Sequence, residues 1–414
     1  MVNDLVVEAR GIAAEITDLR HLLHQHPEAG MQLPLTQQTV LDALAGLPLE
    51  VPTGTSCTSV TAVLRGGAAP ERIEDRVVVL LRADMDGLPV QEETGMPFAS
   101  QRDGFMHACG HDIHTATLVG AARLLCAHQS ELAGDVVFMF QPGEELLQGA
   151  RAMIAEGVLD AAGKRADAAY GMHVFSSVFP AGEFATRPGT LMAASDTMFV
   201  DIIGKGGHGS TPYLANDPVP VMAEVILGLQ TLTAKKFSQF DPVVINVGVA
   251  RAGDAANIIP ESCHLEASIR TFSMANREKV ERIVQDLVRS VCEAHGARAE
   301  ITWRSGVFPL VCHPVETEFV DEQIRSIVGV ARHRTMTEPL GGSEDFSEVL
   351  ALVPGSFVCY SGVAPGRDLS ETTFNHSSTA WFDDSIIPEA TALYARIAME
   401  RIAVNTTAAL ATNR

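Results

Sequence analysis

The sequence of 414 residues predicts an α/β protein in which a three-layer α/β domain is interrupted by a smaller, ferredoxin-like α+β domain. Apolar runs of strand length alternate with helical patterns in the first part of the chain, and a β-α-β-β-α-β order follows. The α/β pattern then resumes, so we expect the chain to leave the first domain and return to it. The predicted domains are 1–186 with 303–414, and 187–302 as the insertion.

The first domain is predicted from two periodicities. Apolar residues recur at helical spacing in some segments, while others are short and continuously apolar, as in strands buried on both faces of a sheet. The predicted helices are 3–26, 35–47, 111–128 and 149–156, and the predicted strands are 60–64, 77–82 and 136–141. After the insertion, α/β patterns return at 320–330 and 356–361.

The inserted domain begins near Pro188, where the pattern changes. Two of its strands, 243–250 and 263–270, alternate more clearly between apolar and polar residues, which is typical of a sheet with one buried face. In chain order its segments are strand 198–203, helix 217–233, strands 243–250 and 263–270, helix 276–295 and strand 299–303. This order predicts the ferredoxin-like arrangement.

Composition excludes several classes of function. The 30 basic and 51 acidic residues give a net charge of −21, which disfavours binding to nucleic acid or, through a basic helix, to a membrane surface. No apolar run approaches the roughly 20 residues of a membrane span, and the N-terminus has no signal pattern. The 7 cysteines show no disulfide framework. These features predict a cytoplasmic protein.

Residues 106–112 contain the first candidate metal ligands. Cys109 and His111 lie two residues apart, so in an extended turn both side chains can reach one metal pair, and Gly110 permits a tight backbone there. The alternative is a buried cysteine beside a surface histidine.

Further candidates follow predicted strands, at the sheet edge where α/β proteins bind ligands. In the pair Glu144 and Glu145, one carboxylate can bind a metal while the other acts as a base. His173 also follows an apolar stretch, and His376 lies in a polar loop. Asp84 and Asp86 follow the strand 77–82 and could bind a metal or hold a ligand histidine. Solvated loop acids and structural histidines are the alternatives.

Together these side chains suffice for two divalent cations that share a ligand. Imidazole, thiolate and carboxylate donors favour zinc or a neighbouring transition metal over magnesium or calcium.

Six motifs make the chain resemble the metallohydrolases of peptidase family M20. It is most similar to the branch of hippurate hydrolase, plant indoleacetyl-amino acid hydrolases and bacterial N-acyl-amino acid amidohydrolases. The motifs, in chain order, are LRADMDGLP (81–89), MHACGHDIH (106–114), QPGEE (141–145), GKGGHGSTP (204–212), ANIIP (256–260) and GGSEDFS (341–347).

The resemblance implies a catalytic domain with a di-metal site and a lid domain that forms a homodimer. It assigns the metal ligands as Cys109, which bridges the ions, His111, Glu145, His173 and His376. It assigns Glu144 as the general base, and it implies that Asp86 orients one of the ligand histidines. The cofactors implied are two divalent ions of zinc, manganese, nickel or cobalt.

The resemblance also assigns residues of the lid. His208 would reach the site of the partner subunit, and Asn257 and Arg270 would bind the substrate's carboxylate and nearby groups. A surface histidine and a solvated arginine at a strand end are the alternatives.

The expected reaction is hydrolysis of the amide bond of N-acyl-amino acids, hippurate-like or N-acetylated, by a metal-activated water with Glu144 as the base. Three other functions stay open: a dipeptidase or aminopeptidase of the same fold, a non-catalytic binding protein, and a cysteine hydrolase that uses Cys109 and His111.

Overall fold

The computed structural model describes residues 2–412 and consists of two compact units. The first unit contains the residues as far as Leu191, Val311–Glu338, and the residues from Glu348 onward. The second unit contains Met192–Leu310 and Pro339–Ser347. The chain therefore leaves the first unit and returns to it twice.

The helices and strands are numbered in chain order. The helices are α1 (Val2–Gly11), α2 (Ala13–Gln25), α3 (Pro34–Leu44), α4 (His111–Ala127), α5 (Gly149–Ala155), α6 (Pro218–Lys236), α7 (Met274–Ala294), α8 (Pro314–Val328), α9 (Ser347–Leu350) and α10 (Ile387–Thr412). The strands are β1 (Leu49–Glu50), β2 (Val60–Leu64), β3 (Val77–Asp84), β4 (Gly134–Gln141), β5 (Ala168–Phe175), β6 (Phe184–Thr186), β7 (Gly189–Met192), β8 (Ala194–Ile203), β9 (Gly207–His208), β10 (Val243–Ala252), β11 (Ile258–Ile259), β12 (Ser262–Thr271), β13 (Arg298–Ser305), β14 (Leu310–Cys312), β15 (His333–Thr335) and β16 (Gly355–Ser361).

A mixed sheet forms the centre of the first unit, in the order β1-β2-β4-β3-β5-β16-β6-β15. The strands β4, β3, β5 and β16 run parallel to their neighbours in this group. Successive side chains of these strands point to opposite faces and almost all are buried, so both faces of the sheet are covered; α4 and α10 pack against β3 and against each other. The continuously apolar runs of the sequence therefore correspond to doubly covered strands, and the predicted α/β class is confirmed.

The parallel strands end at the same edge of this sheet, which positions the candidate site. The strand β3 ends at Asp84, β4 at Gln141 and β5 at Phe175. The pairing of β3 with β5 ends earlier, at Arg82 and Gly171, so the two strands separate towards this edge. Such a crevice at the carboxyl ends of the strands is where α/β sheets bind ligands.

The second unit contains an antiparallel sheet in the order β10-β12-β8-β13. The helices α6 and α7 pack against this sheet, and β8 and β12 alternate between buried and partly exposed residues. The chain order β8-α6-β10-β12-α7-β13 confirms the ferredoxin-like prediction. Both helices begin at a capping side chain, since Asp217 accepts the Val219 N–H at 3.0 Å and Ser273 accepts the Asn276 N–H at 3.1 Å.

Three details differ from the sequence-based expectations. The single helix predicted at 3–26 is two helices that meet at Gly11 and Ile12, where glycine weakens helical continuity. The strand β13 extends to Ser305, past the predicted domain end at 302. Residues 339–347 belong to the second unit, because the Ala193 N–H donates to the Gly342 carbonyl at 2.9 Å.

Among residues 2–412, no helix combines the length and the apolar character that crossing a membrane requires.

Candidate metal centre

Five potential metal-donor side chains meet at the carboxyl edge of the first unit's sheet. They form two groups of three, and within each group the donor atoms lie within 4.8 Å of one another. The first group is Cys109, His111 and His173, and the second is Cys109, Glu145 and His376. Because Cys109 belongs to both, the arrangement has the form expected for two cations that share one ligand.

The backbone before α4 presents Cys109 and His111 side by side. Gly110 caps this helix with a φ of 82°, a left-handed conformation that suits glycine. A Cβ atom at this position would lie 2.3 Å from Cγ1 of Val174. Gly110 is thus required both for its backbone angle and for its close approach to β5.

We expect Gly110→Ala to destabilise the protein by about 2–5 kcal/mol, through the left-handed angle and the overlap with Val174. Gly104→Ala is a matched control, because Gly104 has a φ of 77° and a Cβ atom added there would have no neighbour within 4 Å. The control should lose only about 1–2 kcal/mol. Chemical denaturation measures both, and equal losses would contradict the steric argument.

Asp86 holds the loop that carries the two glutamates. Its Oδ1 accepts the N–H of Glu144 and its Oδ2 the N–H of Glu145, each at 3.1 Å. The same Oδ1 lies 3.4 Å from Nδ1 of His111. Asp86 therefore contacts both the backbone of the predicted base, Glu144, and the ring of the predicted ligand His111.

His173 presents one nitrogen to Cys109. Its Nδ1 donates to the Val174 carbonyl at 2.8 Å, which leaves the Nε2 lone pair facing Cys109 Sγ at 3.3 Å. Burial, reinforced by the neighbouring His114, holds the pKa of His173 well below its usual value. A neutral imidazole with a fixed tautomer is the form that binds metals.

His376 reaches the same cluster from a loop between β16 and α10. It has a positive φ of 71°, and its N–H donates to the Ala108 carbonyl at 2.8 Å. Its Nε2 lies 3.2 Å from Oε1 of Glu145. Contacts with Cys109 and Glu145 raise the pKa of His376 to about 10, because both neighbours favour a positive charge on the ring.

Asn375, which the sequence reasoning did not single out, secures this loop. Its Nδ2 donates to the Val174 carbonyl at 3.0 Å and to the Cys109 carbonyl at 3.3 Å, and its Oδ1 accepts the Ser176 N–H at 3.0 Å. Asn375 directly precedes His376 in the sequence, and this adjacency is the sequence feature that could have pointed to its role.

His114 and Asp84 lie close to His111 but are occupied by other contacts. The Nδ1 of His114 lies 2.5 Å from Asp84 Oδ1, and its Nε2 accepts the Val174 N–H at 2.8 Å. The Oδ2 of Asp84 accepts a hydrogen bond from Arg82 at 2.7 Å. Both nitrogens of His114 are used, so it supports the site without serving as a metal ligand.

The cluster has the properties of a cation site. Both ring nitrogens of His111 and Oε1 of Glu145 are buried, and within residues 2–412 none of the three makes a hydrogen bond of good geometry, although Asp86 lies 3.4 Å from His111 and His376 lies 3.2 Å from Glu145. Burial alone would lower the pKa of His111, but Asp84, Asp86 and Cys109 raise it well above its usual value. Buried donor atoms that lack a well-formed hydrogen bond in a negative environment fit divalent cations, and the mixture of nitrogen, sulfur and oxygen suits zinc or a transition metal.

The predicted lid residues all lie in the second unit. His208 in β9 pairs with Ile258 in β11, and the Gly209 N–H donates to the Asn257 carbonyl at 2.9 Å. His208 and Asn257 are therefore neighbours, and both are exposed. Arg270 lies apart from them near the end of β12, where its Nη1 donates to the Ser343 hydroxyl.

Comparison with known proteins gives the same family as the six sequence motifs. The sequence profile of peptidase family M20/M25/M40 matches residues 80–400. Thermostable carboxypeptidase 1 of Saccharolobus solfataricus is 33% identical over 405 residues, which cover 97% of this chain and 98% of that protein. The N-acyl-L-amino acid amidohydrolase of Geobacillus stearothermophilus is 37% identical over 304 residues, covering 72% of this chain and 78% of that protein.

A solved structure shows the same fold. The YXEP protein of Bacillus subtilis, a dinuclear metal binding peptidase of the M20 family, superimposes with a TM-score of 0.79 at 28% identity. The match covers 95% of this chain and 99% of that chain.

Proposed function

The chain belongs to peptidase family M20/M25/M40 and is a metal-dependent hydrolase, and we propose that it cleaves the amide bond of N-acyl-amino acids. The observation that carries this proposal is the pair of donor groups that share Cys109, with the carboxylate of Glu144 beside them. A donor atom of Glu144 lies within 4.8 Å of donors of both His111 and Glu145.

Cys109, His111 and His173 would hold one cation, and Cys109, Glu145 and His376 the other. Zinc, manganese, nickel and cobalt all suit this donor set. When bound, such ions polarise a substrate carbonyl and make a water molecule more acidic.

Glu144 is the proposed general base. Its backbone is held by Asp86, and its side chain is largely buried beside the donor cluster without being part of either ligand group that shares Cys109. In this role it accepts the proton of the attacking water and passes it to the nitrogen of the leaving amine, because an amide does not expel an unprotonated amine readily.

The second unit would supply substrate contacts within a homodimer. His208 accepts the Ser210 N–H on Nδ1 at 3.1 Å, so its proton is on Nε2, where it can donate to the developing oxyanion in the partner subunit. Arg270 and Asn257 would bind the substrate's carboxylate and nearby groups, and arginine suits a carboxylate because its donors are paired.

The shared site makes a prediction for mixed dimers. His208→Ala chains and Glu144→Gln chains should each be inactive, yet a mixture should recover activity, because a heterodimer contains one site with both residues intact. Subunit exchange followed by an activity assay measures this. Exchanged dimers that remain inactive would show that each chain completes its own site.

A substrate panel tests the proposed function. The metal-reconstituted protein should release amine from hippurate or N-acetyl-amino acids faster than from dipeptides, and it should lose activity with a chelator and regain it with metal. Preference for dipeptides would favour a peptidase, which the carboxypeptidase relative makes the second candidate. Activity that survives chelation would indicate a cysteine hydrolase, and no activity on any substrate a binding protein.

We propose that the protein is cytoplasmic. All 7 cysteines are free, as a reducing compartment would keep them.

A further inference from the structure

His114 connects two strands below the donor cluster, at the point where they separate. The strand β3 ends at Asp84, and Val174 lies near the end of β5, beyond the last paired residues of these two strands. The buried ring of His114, on α4, spans the separation: it contacts Asp84 with Nδ1 and Val174 with Nε2. A helix side chain thus replaces the missing pairing between the strands.

The direction of these hydrogen bonds is determined by the backbone. A peptide N–H can only donate, so Nε2 of His114 must accept from Val174 and the ring proton must lie on Nδ1. Asp84 accepts a hydrogen bond from this Nδ1–H. Two further contacts hold Asp84 in place: Arg82 donates to its Oδ2 at 2.7 Å, and the Thr115 hydroxyl donates to its backbone carbonyl at 2.8 Å. One end of the bridge is therefore firmly held.

The other end of the bridge positions His173. The Val174 carbonyl accepts the Nδ1–H of His173 at 2.8 Å, and the rings of His114 and His173 meet edge to face with centroids 4.8 Å apart. These contacts aim Nε2 of His173 at Cys109. The second donor group has other supports, since His376 is held by the Ala108 carbonyl and Glu145 by Asp86.

We propose that His114 is a positioning residue for one of the two cations, the one that Cys109, His111 and His173 would hold. It acts through Val174, by keeping the imidazole of His173 at the correct place in the cluster. The inference rests on the metal ligands assigned under the proposed function, and it concerns binding of one cation more than the chemistry of hydrolysis.

Two substitutions that differ by one methylene group separate the two halves of the bridge. His114→Gln places an amide near the position of Nε2, where its oxygen can accept the Val174 N–H. His114→Asn places the amide near Nδ1, where it can donate to Asp84 but does not reach Val174. Chelator-treated wild-type and variant proteins are titrated with Co²⁺, and stoichiometry and affinity are read from calorimetry and from sulfur-to-cobalt charge-transfer absorption.

We expect His114→Gln to bind both cations almost as the wild type does. We expect His114→Asn to bind one cation normally and the other about 10- to 100-fold more weakly, with the charge-transfer absorption of the first cation retained. Wild-type affinity for both cations in His114→Asn, or equal weakening in the two variants, would overturn the proposal. If neither variant folds, the ¹⁵N chemical shifts of the histidines in the wild-type protein test the proposal instead. A His114 ring that carries its proton on Nε2 would contradict the proposal, because Nε2 must accept the Val174 N–H.

A failure of this proposal can be distinguished from a failure of the proposed function. Hydrolysis by the wild type without metal would overturn the function, whereas unaltered cation binding in the His114 variants would overturn only the role of His114.

Discussion

Glu144→Gln should reduce turnover by about 10²- to 10⁴-fold while the protein retains both cations. The amide keeps the size and shape of the side chain, but it cannot accept a proton from water. The backbone contact with Asp86 is unaffected by this substitution, because it involves the Glu144 N–H. Steady-state kinetics on an N-acyl-amino acid and metal analysis of the same preparation measure the two quantities.

Glu145→Gln is the matched control for this prediction. The two glutamates are adjacent and both are held by Asp86, but only Glu145 belongs to the donor group of Cys109 and His376. Its substitution should lower the activity, and it should also lower the metal content by about one equivalent per chain. If the residue at 144 proves to be the one whose replacement releases metal, the assignments of base and ligand must be exchanged.

Cys109→Ala should abolish activity and remove both cations. Cys109 is the one donor common to the two groups, so its loss leaves each cation with two protein donors in place of three. This loss should exceed that of Glu145→Gln, which affects one group. Metal analysis after dialysis, together with an activity assay in excess metal, measures the effect.

Cys126→Ala provides the control for thiol loss on the same helix. Cys126 is partly buried near the end of α4, and burial raises the pKa of its thiol to about 12, so it is a poor metal ligand. This variant should retain both cations and most of its activity. Retention of two cations by Cys109→Ala would exclude a bridging role for the thiolate.

The central strands were predictable because their pattern is local. Val77–Asp84 and Gly134–Gln141 are continuously apolar over most of their length, and such runs have few alternatives to a buried strand. The ferredoxin-like order was equally visible, since its two long helices and four strands each show their own periodicity. Short strands such as β6 and β15 were not predicted, because a segment of three residues is too short to show a periodic pattern.

The ligand candidates were also accessible from residue type and position. Cys109, His111 and Glu145 adjoin predicted elements, and the structure brings them together because parallel strands end at one edge. Their roles as ligands stay a prediction until metal is measured. The sequence alone could not distinguish Glu144 from Glu145 by geometry, since adjacent residues of the same type have the same local pattern.

The sequence by itself determined the α/β class, the inserted ferredoxin-like topology and the set of donor residues, because periodicity and residue type are local properties. Only the tertiary structure decided how those donors divide around Cys109, that residues 339–347 join the second unit, and that His114 bridges Asp84 and Val174. These relations depend on strand register and on where β3 and β5 separate. They join residues far apart in the chain, so no local pattern encodes them.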